Sequence, residues 1–263
     1  MVENVNIHYS AIIEDGAEIG DGTSVGPFCF VGSKVRLGQN VELKSHVVIK
    51  GDTFLGDENT VFPFAVLGEI PQDKKFNGES TSLKIGNRNQ IREHVTINVG
   101  TKGGGGITKV GNDGLFMAGC HIAHDAQVGD NVILVNNASL AGHCIIEDNV
   151  IVGGLSGVHQ FVRIGEGAII GAVTMVTNDV IPYGLVQAPR GELDGLNLVG
   201  LKRKGVPRAD IMALRAAFQT LSQGDGTFQD RAQKLTDDSD SEYVEKIVSF
   251  VLGHSDRSFL TPR

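Results

Sequence analysis

From Ile7 to Val176 an apolar residue returns every sixth position, and that period constrains the fold more tightly than any motif. Ile7, Ile13, Ile19, Val25, Val31, Leu37, Leu43, Ile49, Leu55, Val61 and Leu67 keep one frame without a miss. Ile85, Ile91 and Ile97 resume it, and a second frame runs from Val110 through Phe116, Ile122, Val128, Leu134 and Leu140 to Val176. A strand alternates with period two and an amphipathic helix with period 3.6, so neither explains an inward residue at every sixth place. A coil of three flat faces does. Each face takes six residues and each coil eighteen, and coils stacked roughly 4.8 Å apart as parallel strands bury the apolar column that one strand could not bury alone. Glycine often follows the aliphatic residue, as in Ile19-Gly20, Leu37-Gly38 and Val128-Gly129. Lacking a Cβ, it suits the tight or positive-φ backbone of a corner.

The chain has 35 glycines, no tryptophan and 41% hydrophobic residues, a composition suited to a narrow aliphatic prism. No apolar run is long enough to span a membrane and the first residues, Met1 to Asn4, open no signal peptide, so a cytoplasmic protein without stable membrane insertion is expected. Cys29, Cys120 and Cys144 show no metal-type spacing and read as reduced structural thiols. A net charge of -8 argues against general nucleic-acid binding, though not against a local basic site.

Two interruptions break the count. Residues 68–80 are polar, yet the frame returns eighteen residues after Leu67, which predicts a looped-out coil. Between Ile97 and Val110 the run Lys102-Gly103-Gly104-Gly105-Gly106 shifts the frame by one residue. Four glycines can cradle a phosphate, but no lysine-serine pair or strand-to-helix context follows, so a flexible extruded loop is the expectation. After Val176 the pattern changes: Pro182, Pro189 and Gly191 punctuate a linker. Helical spacing then appears at 209–218, behind Pro207, and at 243–252. The expected organisation is a hexapeptide-repeat prism over 1–190 and a small α-helical domain over 191–263 whose helices cap the open end of the prism.

Positions eighteen apart lie one above another, so the repeat also predicts distant neighbours. His121, His124, His143 and His159 fall at phases 13, 16, 17 and 15 of the coil and gather along one edge over three successive coils. Such a strip has three chemical readings. Imidazoles are common zinc ligands, but His121 and His124 are three apart on a strand or corner, which directs their rings differently. Some of the rings can be structural. The third reading is general-base catalysis, in which a neutral imidazole takes a proton from a hydroxyl or amine, with Asp125 beside His124 to orient it.

The repeat resembles the hexapeptide-repeat acyltransferases, which form left-handed parallel β-helices and assemble as homotrimers. The segments His121-Ile122-Ala123-His124-Asp125, Asn136-Asn137-Ala138, Leu140-Ala141-Gly142-His143, Val158-His159-Gln160-Phe161 and Gly200-Leu201-Lys202-Arg203, with Ile70-Pro71-Gln72-Asp73, make the likeness more specific. Together they resemble the branch that moves an acyl chain from acyl carrier protein to UDP-N-acetylglucosamine at the start of lipid A synthesis. That resemblance implies a mainly β fold, a left-handed parallel β-helix followed by a small C-terminal α-helical domain.

It implies His124 as general base, Asp125 as its assistant and Gly142 as the backbone donor to the oxyanion. Asp73, His121, His143 and Gln160 match sugar-contacting positions, His159 lies beside the acyl channel, and Asn197, Arg203 and Lys204 match residues near the nucleotide and its phosphates. Ala172 matches the position that limits acyl length, and a small residue there leaves room for a medium to long chain. The implied substrates are UDP-N-acetylglucosamine and a 3-hydroxyacyl carrier protein, an acidic partner that Lys75 and Arg203 would attract; no cofactor and no metal are implied. Val199 stands where the family commonly has glutamate, and Lys204 where arginine is common, which keeps the charge but loses the planar fork. Alternatives are acylation of a 3-amino sugar, a related N-acyltransferase, or a metal-binding hexapeptide protein such as a γ-class carbonic anhydrase.

Overall fold

The computed structural model describes residues 4–223, 225–236 and 240–262. Among the described residues short strands, mostly of two residues and all but the last parallel, stack into three sheets of eleven, nine and eight strands. Consecutive strands visit the three sheets in turn, so the chain winds as a three-sided parallel β-helix. Asn6 pairs with Ser24, Ile12 with Phe30 and Glu18 with Arg36, an offset of eighteen on every face. The backbone ladder is regular: His8 N–H donates to Val25 O at 2.9 Å and Ile12 N–H to Cys29 O at 2.8 Å. In each pair the second residue points inward. On the first face the inward column Val25, Leu43, Val61, Ile91, Phe116, Leu134, Val152 and Ile170 is buried throughout.

The corners divide their two demands between different residues. The glycine directly after the aliphatic residue is required by close approach, since a Cβ on Gly20 would lie 2.3 Å from Gly38 O. Positive φ falls two places later, at Asn40, Asn131, Asn137 and Asn149 among others. Asparagine tolerates this left-handed conformation better than most side chains.

Both interruptions are extrusions, and neither is a full coil. Thr60 pairs with Gln90, thirty residues on instead of eighteen, so twelve extra residues leave the prism near 70–81. Gln90 pairs with Leu115, twenty-five residues on, which makes the second extrusion, near 100–106, seven residues long. Seven is one more than a repeat, which explains the frame shift. The second extrusion is not a loose loop: Lys102–Gly104 form a 3-10 turn, and Gly106 N–H returns to Thr101 O at 2.8 Å. The two extrusions touch where Lys102 N–H donates to Glu79 Oε1 at 3.3 Å.

The segment read as a linker is instead a closing hairpin. Gly184–Gln187 continues the first sheet in parallel, and Glu192–Leu196 pairs with it antiparallel. This reversal ends the parallel ladder, so strands as well as helices finish the prism. Among the described residues four helices follow: α1 (Leu198–Arg203), α2 (Arg208–Ser222), α3 (Phe228–Lys234) and α4 (Glu242–Leu252). The spacing at 209–218 and 243–252 predicts α2 and α4. The shorter α1 is capped by Asn197 and α3 by a Thr227/Asp230 capping box, signals too local to stand out beside a strong period. The tail is pinned to the prism through Asp179, which is fully buried, receives Arg163 Nε at 2.7 Å and accepts Ser255 Oγ at 2.6 Å. The three cysteines are free and buried. Burial pushes the Cys144 thiol up to about 12, which leaves it protonated and unsuited to nucleophilic work.

Each inward side chain touches the coils above and below, so a truncation leaves a void that neighbours on a flat ladder cannot fill. Leu134→Ala is expected to cost about 2–5 kcal/mol, read as a lowered urea midpoint, whereas an exposed position on the same face should shift it by less than about 0.5 kcal/mol.

Candidate active site

The corner between the second and third faces carries the strip predicted from the eighteen-residue count. His121 is on the second-face strand His121–Ile122, and His124 and Asp125 form the turn before the third-face strand Gln127–Val128. One coil above, Gly142 lies over His124 and His143 over Asp125; one coil higher lie Gln160 and Phe161. Asp125 and His143 occupy the positive-φ place of their corners, at 62° and 61°.

His124 and Asp125 are buried, and their side chains meet: Nδ1 of His124 is 2.8 Å from Oδ2 of Asp125. A carboxylate can only accept here, so Nδ1 carries a proton, and in the neutral ring Nε2 keeps the free lone pair. That nitrogen lies beside Gly142, where a Cβ would fall 2.5 Å from Cε1 and 2.7 Å from Nε2. Only glycine fits. The Gly142 carbonyl accepts from Phe161 N–H at 3.2 Å, while its own N–H has no backbone partner among the described residues. A lone pair and a backbone donor thus adjoin one cleft of about 370 Å³, lined by Gln72, His121, His124, Ala141, Gly142 and Gln160 among others.

Asp125 is held from the other side by the glycine-rich extrusion. Thr101 N–H donates to Oδ1 at 2.8 Å and Thr101 Oγ to Oδ2 at 2.6 Å. The Asp125 N–H is itself taken up by Thr108 Oγ1 at 2.8 Å. A Cβ on Gly104 would lie 2.1 Å from Asp125 Cγ, so this glycine of the run is packed against the carboxylate, where the sequence predicts only an extruded flexible loop. Reading the sequence misses Thr101, because only the folded loop shows which of its residues returns to the corner.

His124, Asp125 and His143 bring ligand atoms within 4.8 Å of one another, a spacing a metal could use. The donor set argues against that use. Asp125 Oδ2 is already shared by His124 and Thr101, and His143 Nε2 stands off at 3.8 Å. His143 instead stacks on Phe161, ring centroids 4.5 Å apart, and meets His124 edge-on at 5.1 Å. The twelve-residue extrusion brings Asp73 and Lys75 to the same place, where they line a cleft of about 740 Å³ with His143 and Phe161. His121 is fixed by Thr96 Oγ1 at 2.7 Å from its Nδ1. His159 is exposed and faces the tail: Arg257 Nη2 donates to its Nδ1 at 2.8 Å and Arg257 Nε to Gln160 O at 3.0 Å. Nothing in the repeat points to that arginine.

Comparison with known proteins agrees with this architecture. A sequence-family model described as bacterial transferase hexapeptide (six repeats) matches residues 16–51, and one described as UDP-N-acetylglucosamine O-acyltransferase, domain 2, matches residues 179–260. The acyl-[acyl-carrier-protein]–UDP-N-acetylglucosamine O-acyltransferase of Paracoccus denitrificans is 66% identical over 202 residues, 77% of each chain. The enzyme of that name from Rhizobium etli is 46% identical over 263 residues, 100% of this chain and 97% of its own. The chain belongs to the UDP-N-acetylglucosamine O-acyltransferase family. The solved structure of UDP-N-acetylglucosamine acyltransferase from Campylobacter jejuni superposes with a TM-score of 0.92 at 39% identity, covering 98% of this acyltransferase and 100% of that chain. Its fold class is a left-handed parallel β-helix of hexapeptide repeats followed by a C-terminal helical part.

One chain does not assemble all the residues expected of such an acyltransferase. His121, His124, Asp125, Gly142, His143, Gln160, Asp73 and Lys75 gather around the corner between the second and third faces. Ala172 lies at the corner between the first and second, in the turn after the strand Ile169–Ile170. Asn197 is anchored at the remaining corner, its Nδ2 donating to Gly167 O at 2.9 Å while its Oδ1 caps α1. Arg203 and Lys204, at the end of α1, belong to that third edge, and burial lowers the Lys204 ammonium from its usual value.

Burial is also the first cause that lowers both His121 and His143 from the ordinary 6.5; the nearby His124 adds to it in each, and Asp125 opposes it at His143. In the unfolded chain these rings take up protons near 6.5, in the fold at lower pH. Their stability contribution is complete above 6.5 and is lost as pH falls below it. Thermal melts at about pH 7.5 and pH 5.5 should show a larger loss in the native chain than in His121→Asn.

Proposed function

We infer that this chain transfers a 3-hydroxyacyl group from acyl carrier protein to the 3-hydroxyl of UDP-N-acetylglucosamine, with His124 as general base. The observation that carries the mechanism is the 2.8 Å contact between His124 Nδ1 and Asp125 Oδ2. Asp125 holds the Nδ1 proton, so Nε2 is free to take one. As Nε2 removes the proton of the sugar hydroxyl, that oxygen attacks the thioester carbonyl. The negative charge that develops on the carbonyl oxygen is met by the Gly142 N–H, a preorganised donor at a site where no side chain fits. When the tetrahedral intermediate collapses, the carbon–sulfur bond breaks and the departing thiolate of the carrier protein takes the proton from Nε2. The cycle leaves the imidazole neutral, and its atoms balance without a metal or a cofactor. The names of the relatives specify an O-acyltransferase, which supports a hydroxyl acceptor over the amine alternative.

Binding follows the same geometry. His121 and Gln160 border the cleft that holds Nε2, and Asp73, Lys75 and His143 border the adjoining one; both are assigned to the sugar. His159 is assigned to the wall of the acyl channel. Asn197, Arg203 and Lys204 on α1 are assigned to the nucleotide and diphosphate, for which a guanidinium offers paired donors. Ala172 is assigned to the far end of the acyl chain.

The last four stand on edges of the prism other than the one that bears His124. A homotrimer, with neighbouring prisms side by side, would set one chain's His124 edge against another chain's edge and complete three sites. Lys75 and Arg203 would attract the acidic carrier protein, and both substrates place the enzyme in the cytoplasm. Among the described residues no helix is long and apolar enough to cross a membrane.

His124→Ala should reduce kcat by about 10²–10⁴-fold, the usual worth of a positioned base, without changing the melting temperature by more than a few degrees. Mass spectrometry of products from UDP-N-acetylglucosamine and a panel of 3-hydroxyacyl carrier proteins checks acceptor, donor and length together. In that assay Ala172→Leu should move the preferred chain several carbons shorter; an unchanged preference would remove Ala172 from the channel. Sedimentation should give a mass three times the 28.0 kDa of the chain.

A further inference from the structure

We propose that Thr101 is a positioning residue for the His124–Asp125 pair, delivered by the seven-residue extrusion as the third member of a Thr–Asp–His array. The inference rests on His124 being the base and goes beyond it, since Thr101 acts through Asp125 and not on the substrate.

The reason lies in what the corner would be without the extrusion. The positive-φ place of a corner turns its side chain outward, and along the prism most of its occupants stay open to water: Asp113, Asn131 and Asn137 are exposed and Asn149 is half-buried, while Tyr183, where the helices close the prism, is covered. Asp125 occupies the same kind of place, yet its side chain is 0% exposed. What differs is the cover. Thr101 gives one donor to each carboxylate oxygen, its N–H to Oδ1 and its hydroxyl to Oδ2. Thr108, at the return of the extrusion, accepts the Asp125 N–H.

A carboxylate gripped at both oxygens cannot rotate about its Cβ–Cγ bond. One rotamer remains, and in it Oδ2 faces His124 Nδ1 at 2.8 Å. Burying the charge without these donors would be costly, and with them the carboxylate stays in the dry pocket as a fixed acceptor. Gly104 permits the closure by leaving the space beside Asp125 Cγ empty, and Gly100 by its approach to Oδ1, where a Cβ would lie at 2.8 Å. A single residue therefore sets the carboxylate, the carboxylate sets the tautomer, and the tautomer leaves Nε2 free.

Steady-state kinetics with both substrates test this on the intact chain. Thr101→Val keeps the shape and the backbone donor but removes the hydroxyl; kcat should fall about tenfold, the worth of one hydrogen bond to a charged group, while both KM values hold within about twofold. Thr101→Ser restores the hydroxyl and should recover most of kcat. In an Asp125→Ala background the same valine substitution should cost nothing further, because the partner through which Thr101 acts is gone. Wild-type kcat in Thr101→Val, equal losses in the valine and serine variants, or additive losses with Asp125→Ala would each overturn the proposal. Gly104→Ala supplies an arm that keeps Thr101: the added methyl displaces the loop from the carboxylate, so kcat should drop with KM retained, and an unaffected kcat counts against the array. If His124→Ala turned over at the wild-type rate, the base assignment would fail on its own; if only the Thr101 variants did, that assignment would stand and the positioning role would not.

Discussion

Everything in this molecule hangs on the offset of eighteen residues between hydrogen-bonded strands. Because each coil donates to the next at a constant register, every residue has a known neighbour above and below, and the inward column packs without a helix or a second sheet. The same ladder fixes the outer columns. Asp125, His143 and Phe161 share one column, and His124, Gly142 and Gln160 the one beside it, which is why a base, a backbone donor and a stacked imidazole meet although their residues span almost forty positions of sequence.

A perfect ladder has no cleft, so the chemistry depends on the two places where the ladder is exceeded. The extrusions of twelve and seven residues leave the corner between the second and third faces and return without disturbing the coils on either side. One brings Asp73 and Lys75 beside His143. The other lays Thr101 and Gly104 over Asp125 and converts an ordinary corner carboxylate into a buried, doubly gripped one. Regularity supplies the columns and irregularity supplies the cover. The two extrusions also meet at Glu79 and Lys102, so the walls of the site support each other.

The fold was legible in the sequence because its physics repeats: a period of six is stated some twenty-five times, and each statement is an inward apolar residue, aliphatic at every place but Phe116. The histidine strip was legible for the same reason, since a ruler of eighteen converts sequence distance into spatial distance. What stayed hidden was local and aperiodic. Thr101 cannot be distinguished from any loop threonine until the loop closes, and a run of four glycines reads as flexible although one of them, Gly104, lies against a carboxylate where no Cβ would fit. Arg257 reaches His159 from 98 residues away through a tail pinned at Asp179, a contact no repeat could announce. The closing hairpin at 184–196 was obscured by its prolines and glycine, which mark a reversal as readily as a linker. Parts of the site on Ala172 and on α1 could be matched to a family but not located, because a linear count does not say which edge a side chain serves in an assembly.

The independence of the extrusions from the ladder has a consequence for how such a protein can change. Residues added to or removed from 70–81 or 100–106 alter what surrounds His124, yet each interior side chain above and below keeps the partners it had. The core and the cover of the site are therefore written in separate stretches of one chain. Variation can accumulate in the second without endangering the first, so the walls around His124 can be reshaped through fewer than twenty residues that carry almost none of the core.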